Sequence, residues 1–83
     1  MINIQDIIPF MRDGWVAMDK NGSWWWFPIE PSMYKREWLF SGETEEDGVC
    51  LSSVFDIAPA DDWTKSLIQV DHFSQEGKKV GGK

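Results

Sequence analysis

Trp15-Val16-Ala17-Met18-Asp19-Lys20-Asn21-Gly22-Ser23-Trp24-Trp25-Trp26-Phe27 is the stretch whose reading decides the fold. Two β-prone runs flank Asn21-Gly22, and Asn-Gly between such runs is a strong hairpin signal. Two turns fit it. One is a two-residue type I′ turn on Asn21-Gly22. The other is a type I turn from Asp19 with Gly22 in the left-handed region, which leaves a bulge. The two differ by one residue in register, so the facing pairs stay open. Pro28 and Pro31 end the second strand, because proline cannot donate to a ladder.

Successive strand residues point to opposite faces. Trp24 and Trp26 therefore face one way, Trp25 and Phe27 the other. A half-buried antiparallel strand has one apolar and one polar face, and here both are aromatic. Either the sheet is covered on both sides, by an N-terminal helix on one and the 28–40 loop or the C-terminal segment on the other, or one side shows aromatic surface. An exposed aromatic face is the kind of patch that marks a binding site.

Working outward, Ile4, Ile7, Ile8 and Met11 recur with helical spacing. Asn3 suits the N-cap and Gly14 the stop. Pro9 conflicts with a continuous helix, so a kinked helix or a single turn beginning at Pro9 is expected. Beyond the hairpin, a loop runs through Pro31-Ser32-Met33 and Glu37-Trp38-Leu39-Phe40 reads as a third strand. Residues 41–48 form a polar acidic loop. Val49-Cys50-Leu51 and Val54-Phe55-Asp56-Ile57 are apolar enough for a fourth strand. Asp61 or Asp62 caps a helical turn through Trp63 and Leu67, whose i, i+4 spacing places both on its inner face, and Ile68-Gln69-Val70 adds an edge strand. The reading is α+β: a small antiparallel sheet of three to five strands with an N-terminal helix and a C-terminal helical turn. Residues 1–73 make one domain and 74–83 a flexible tail.

A chain of 83 residues is near the lower limit for one hydrophobic core. Cys50 is the sole cysteine, so no intrachain disulfide exists, and with His72 the sole histidine a structural zinc site is not expected. The stabilising resource is aromatic area, in six tryptophans and five phenylalanines, or else oligomerisation. No apolar run approaches the ~20 residues of a membrane span. The first residues lack the basic region of a signal peptide, and a lone cysteine fits a reducing compartment. A cytoplasmic protein, of a bacterium or a phage-infected host cell, is expected.

The net charge is −6, from fourteen acids and eight bases. Lys78, Lys79 and Lys83 lie at the far end, and between Glu37 and Asp62 there are eight acids and no base. Such a surface repels phosphates and anionic lipid heads. Indoles can stack nucleobases, but that needs a basic groove as well, and the hairpin neighbourhood offers only Lys20, Lys35 and Arg36. Nucleic-acid and membrane partners are therefore not expected.

Catalytic patterns do not emerge. His72 has no nucleophile and carboxylate set with it and reads as surface. Cys50, in an expected strand, reads as a small buried hydrophobe. Glu43-Thr44-Glu45-Glu46-Asp47-Gly48 lacks the D-x-[DN]-x-[DN]-G calcium pattern and reads as a solvated loop. Its alternative role is to imitate nucleic-acid charge in a basic groove of another protein.

Two resemblances bear on this. Trp15, the Trp24-Trp25-Trp26 run and Trp38 resemble the spacing of a WW domain, a three-stranded sheet with two signature tryptophans that binds proline-rich peptides. Phe40-Ser41 stand where that family has its proline, and Pro28-Ile29-Glu30 where it has a histidine, so proline-peptide binding is disfavoured. Gly14-Trp15-Val16-Ala17-Met18-Asp19 with Gly22-Ser23-Trp24, and Phe55 through Ile68, resemble small uncharacterised proteins of tailed phages and prophages of gut bacteria. That resemblance covers roughly residues 4–70. It implies binding to host proteins as one role and carries over no functional residue.

Together these readings predict a non-enzymatic protein-interaction module without cofactor or metal, a modulator or inhibitor of a host protein if phage-encoded. The candidate contact residues are Trp24, Trp25, Trp26 and Trp38 on the aromatic face and Glu43, Glu45, Glu46 and Asp47 on the acidic one. The alternatives are a small-ligand or carbohydrate binder with Trp24 and Trp26 as a stacking platform, and a protein that homodimerises through its sheet.

Overall fold

In the computed structural model of the chain, which describes residues 1–41 and 47–72, Gly22 lies at φ 92. Its N–H donates to the Asp19 carbonyl at 2.9 Å, and the Asp19 N–H donates to the Ser23 carbonyl at 2.9 Å. The loop is thus Lys20, Asn21 and Gly22, and of the two expected turns the one with left-handed Gly22 forms. It places β1 (Gly14–Met18) against β2 (Trp24–Phe27), with Trp15 opposite Phe27 and Met18 opposite Trp24. Asn21 reinforces the turn by accepting the Ser23 N–H on its side-chain oxygen at 2.9 Å.

The remaining strands are short: β3 (Ser32–Tyr34), β4 (Glu37–Leu39), β5 (Val49–Cys50) and β6 (Ile68–Val70). One antiparallel sheet has the order β5-β2-β1-β6, and β3 with β4 forms a separate ribbon. The expected loop through Ser32 and Met33 is therefore a strand. Its pairing with β4 comes from a tight turn at Lys35, which adopts φ 57. Two serines extend the main sheet where its edge strands have ended. Ser66 Oγ accepts the Met18 N–H at 2.8 Å, and Ser52 Oγ accepts the Trp24 N–H at 2.8 Å. Each satisfies a β1 or β2 donor that no strand reaches, which matters because an unpaired buried N–H costs about 1–3 kcal/mol.

Both faces of the main sheet are covered. On one lie Val16, Met18, Trp24, Trp26 and Val70, packed with Ile4, Leu51 and Ile57. On the other, Ala17 and Phe27 are sealed by Trp38 of β4, with Trp15, Trp25, Phe40, Trp63 and Leu67 half-buried around them. The expected alternative of double coverage thus holds for three of the four consecutive rings. Trp24 is 2% exposed, Phe27 4% and Trp26 7%, and only Trp25 is left half-buried.

The helical readings are shortened. Asn3 caps α1 (Ile4–Ile7) by accepting the Gln5 N–H at 2.9 Å, and a 3₁₀ turn, Ile8–Phe10, follows with Pro9 in its first turn. Proline removes the donor a longer α-helix would need there. At the other end Asp62 is the cap of a 3₁₀ turn, Trp63–Lys65. The strand expected over Val54–Ile57 does not form. Leu51–Ser53 is a 3₁₀ turn, Ser53 Oγ donates back to the Cys50 carbonyl at 2.8 Å, and Ile57 alone bridges, in parallel, to Ile2. Serine competing locally for the backbone breaks the run. The acidic loop residues 42–46 and the expected tail from 74 lie outside the described residues.

Candidate functional site

Trp24 and Trp26 are corrected from contact residues to core. Their indole N–H groups donate to the Ala58 carbonyl at 3.0 Å and the Arg12 carbonyl at 3.2 Å, and the Arg12 guanidinium lies 5.5 Å from the Trp26 ring centroid. A buried indole needs such an acceptor, and rings only 2% and 7% exposed offer little face to a sugar or ligand. The stacking platform is therefore not formed by this pair. Trp38, at 7% exposed, is equally a core residue, its indole N–H donating to the Trp63 carbonyl at 3.2 Å and its ring meeting Trp63 edge-on at 6.4 Å.

The groove that Trp25 lines lies on the opposite face. A groove of about 280 Å³ runs between the Trp25 side of β2 and the β3–β4 ribbon. Trp25 and Phe27 contribute from β2, Trp38 and Leu39 from β4, and Phe40 and Gly48 from the segments that leave β4 and return to β5. Phe40 meets Phe27 edge-on at 5.7 Å. Leu39 is 45% exposed. Gly48 is close-packed, since a Cβ there would lie 3.3 Å from the Phe40 ring and 3.4 Å from the Trp26 carbonyl.

Two acids, Asp19 and Glu37, complete the lining, and among the described residues no base belongs to it. Asp19 is held in place from both sides. Its Oδ1 accepts the Trp38 backbone N–H at 2.8 Å, and the neighbouring turn is tied to the ribbon by the Lys20 N–H donating to the Arg36 carbonyl at 3.0 Å. Partial burial pushes the Asp19 carboxyl above the ordinary aspartate range. The Trp38 hydrogen bond opposes that shift and the Glu37 charge adds to it. Lys35 is engaged elsewhere, over the Tyr34 ring at 5.4 Å.

Of the sequence-level candidates, Trp25 and Trp38 meet at this groove, and Asp47 is exposed next to its Gly48 wall. Glu43, Glu45 and Glu46 lie outside the described residues. Sequence reading missed Asp19, Glu37, Leu39 and Phe40. Asp19 was legible only as a turn residue, and the others as a strand; no local signal brings the ribbon over Trp25. Among the described residues, no group of three or more His, Cys, Asp or Glu could hold a metal ion, and no helix is long and apolar enough to cross a membrane. No family model, curated protein or solved structure matches this chain.

Proposed function

We propose that this chain is a non-enzymatic protein-interaction module whose contact surface is the Trp25 groove. The observation that carries the reading is the contrast within one strand. Trp24, Trp26 and Phe27 are buried, while Trp25 opens onto a groove with exposed Leu39 beside it. Tryptophan is enriched in interface hot spots, and a well-packed apolar pocket with a polar rim is their usual setting. The small-ligand reading is weaker here. Its platform, Trp24 with Trp26, is core, and the groove is smaller than the roughly 300–1,000 Å³ of a drug-sized site. That the partner is a host protein rests on the resemblance to phage proteins alone.

Affinity capture from bacterial lysate tests the reading, comparing wild type with Trp25→Ala and Leu39→Asp. Val54→Asp serves as a control, because Val54 is 71% exposed and stands outside the groove. A partner retained by Val54→Asp and lost with both groove variants, each shown folded by circular dichroism, supports the groove. A partner retained by the groove variants, or no partner for the wild type, overturns it.

A further inference from the structure

The groove's chemistry narrows what would fill it. Its walls are aromatic and aliphatic, and among the described residues its charged lining is Asp19 and Glu37, with no base to balance them. Outside the groove, the fold twice sets a cation over an aromatic face, Arg12 over Trp26 and Lys35 over Tyr34. Trp25, at the groove, combines a half-exposed indole with carboxylates nearby. A cation on an indole face gains most when partly desolvated.

We propose that the groove seats an arginine side chain presented by a basic, otherwise apolar segment of a partner protein, its guanidinium stacked on Trp25 and paired with Asp19 and Glu37. This rests on the reading of the groove as the contact surface and adds the partner's chemistry to it.

Arginine fits better than lysine. Its guanidinium is planar, weakly hydrated and suited at once to stacking and to carboxylate pairing, whereas an ammonium is a compact, strongly hydrated point charge. Asp19 is oriented before any partner arrives, because the Trp38 N–H holds Oδ1 at 2.8 Å. A carboxylate has acceptor capacity beyond that one bond. The unfavourable proximity of Glu37 to Asp19 is relieved by a cation between them. The apolar flanks of the segment meet Leu39 and Phe40, and the chain's net charge of −6 draws a basic partner toward it.

The test is an NMR titration of the full chain, ¹⁵N-labelled, with two probe peptides. One is Ac-Leu-Arg-Leu-NH₂. The other carries citrulline, which is nearly the same shape without the charge, in place of arginine. The expected result is that the arginine peptide shifts the Trp25 indole resonance, leaves the Trp24 indole in place, and binds about tenfold tighter than the citrulline peptide. Glu37→Gln, a substitution at an exposed position, and Asp19→Asn, which keeps an acceptor for Trp38, each weaken the arginine peptide several-fold with the spectrum otherwise preserved. Equal affinity of the two peptides at Trp25 overturns the arginine proposal and leaves the groove as an apolar contact surface. So does unchanged arginine-peptide affinity in both carboxylate variants. If neither peptide moves the Trp25 indole, this proposal and the groove reading beneath it both fail.

Discussion

Trp24 and Trp25 are adjacent in sequence and carry the same indole, yet they end in different surroundings. The face of the sheet that holds Trp24 is closed by the N-terminal helix through Ile4 and by the stretch after β5 through Leu51 and Ile57, and its indole is hydrogen-bonded to Ala58. The face that holds Trp25 is covered by Trp38 of β4 with Phe40, and by Trp63 and Leu67 of the C-terminal segment. These residues enclose Ala17 and Phe27 but leave Trp25 half-buried at the wall of the groove. Pleat alternation gave both faces the same chemistry, and the placement of the covering segments enclosed Trp24 while leaving Trp25 at a groove.

Removing the two indoles separately should give the largest difference between the faces. Trp24→Ala removes a fully enclosed ring and leaves the Ala58 carbonyl without its donor, with an expected loss of about 3–5 kcal/mol. Trp25→Ala is expected to cost at most about half that in the same urea titration. Equal losses would show that the Trp25 side is core as well.

The closed face should also resist added volume. A Cβ at Gly14 would lie 2.6 Å from the Phe27 carbonyl oxygen and 2.8 Å from the Trp26 ring. Gly14→Ala is therefore expected to lower stability by about 1–3 kcal/mol, read from the denaturation midpoint. No change would mean that the rings on this face are loosely held. Ser66→Ala probes the sheet edge between the faces. It strips the Met18 N–H of its 2.8 Å acceptor in a buried setting, for about 1–3 kcal/mol. Ser66→Thr, which keeps the hydroxyl, should lose less if the hydrogen bond rather than the space is what counts.

Smaller effects belong to the ribbon. Lys35 holds φ 57, where a side chain costs roughly 1–2 kcal/mol and glycine costs little. Lys35→Gly is expected to raise the thermal midpoint by a few degrees at most, and a fall would show that its contact with Tyr34 outweighs the strain.

The smallest is a pH effect at the groove. The Asp19 pKa is raised by burial and by Glu37 against the Trp38 bond, so the folded chain binds that proton more readily than the unfolded one. Stability should therefore rise as pH falls from neutral through the raised value, and Asp19→Asn should lack that rise. Asp62 works in the opposite sense. Its pKa is lowered by the Thr64 hydroxyl and then the Thr64 N–H, so its contribution is present above the ordinary aspartate value of about 3.9 and lost as pH falls below it. A stability profile measured from pH 7 to pH 3 in both backgrounds separates the two.

Local rules reached a good part of this fold. The Asn21-Gly22 signal gave the central hairpin, Asn3 and the aspartates before Trp63 gave the caps, and Ile68–Val70 gave an edge strand. Local rules failed where a side chain acts at a distance or a neighbour takes over the backbone. Ser53 turned an apolar run away from strand geometry. Ser32–Tyr34 became a strand because the Lys35 turn folded it against β4. At the groove, Trp25 and Trp38 were visible as residue types, but Asp19 and Glu37 were hidden among other acids.

By itself the sequence determined the periodicities: an alternation that puts rings on both sides of one strand, a glycine where the turn needs positive φ, and an excess of acids. These depend on neighbours in the chain, whose geometry the peptide bond fixes. The tertiary structure alone decided that Trp24 lies inside and Trp25 at an opening, and that two carboxylates from different elements share that opening. Such outcomes depend on which distant segments return to each face, and contacts of that range leave no local mark in the sequence.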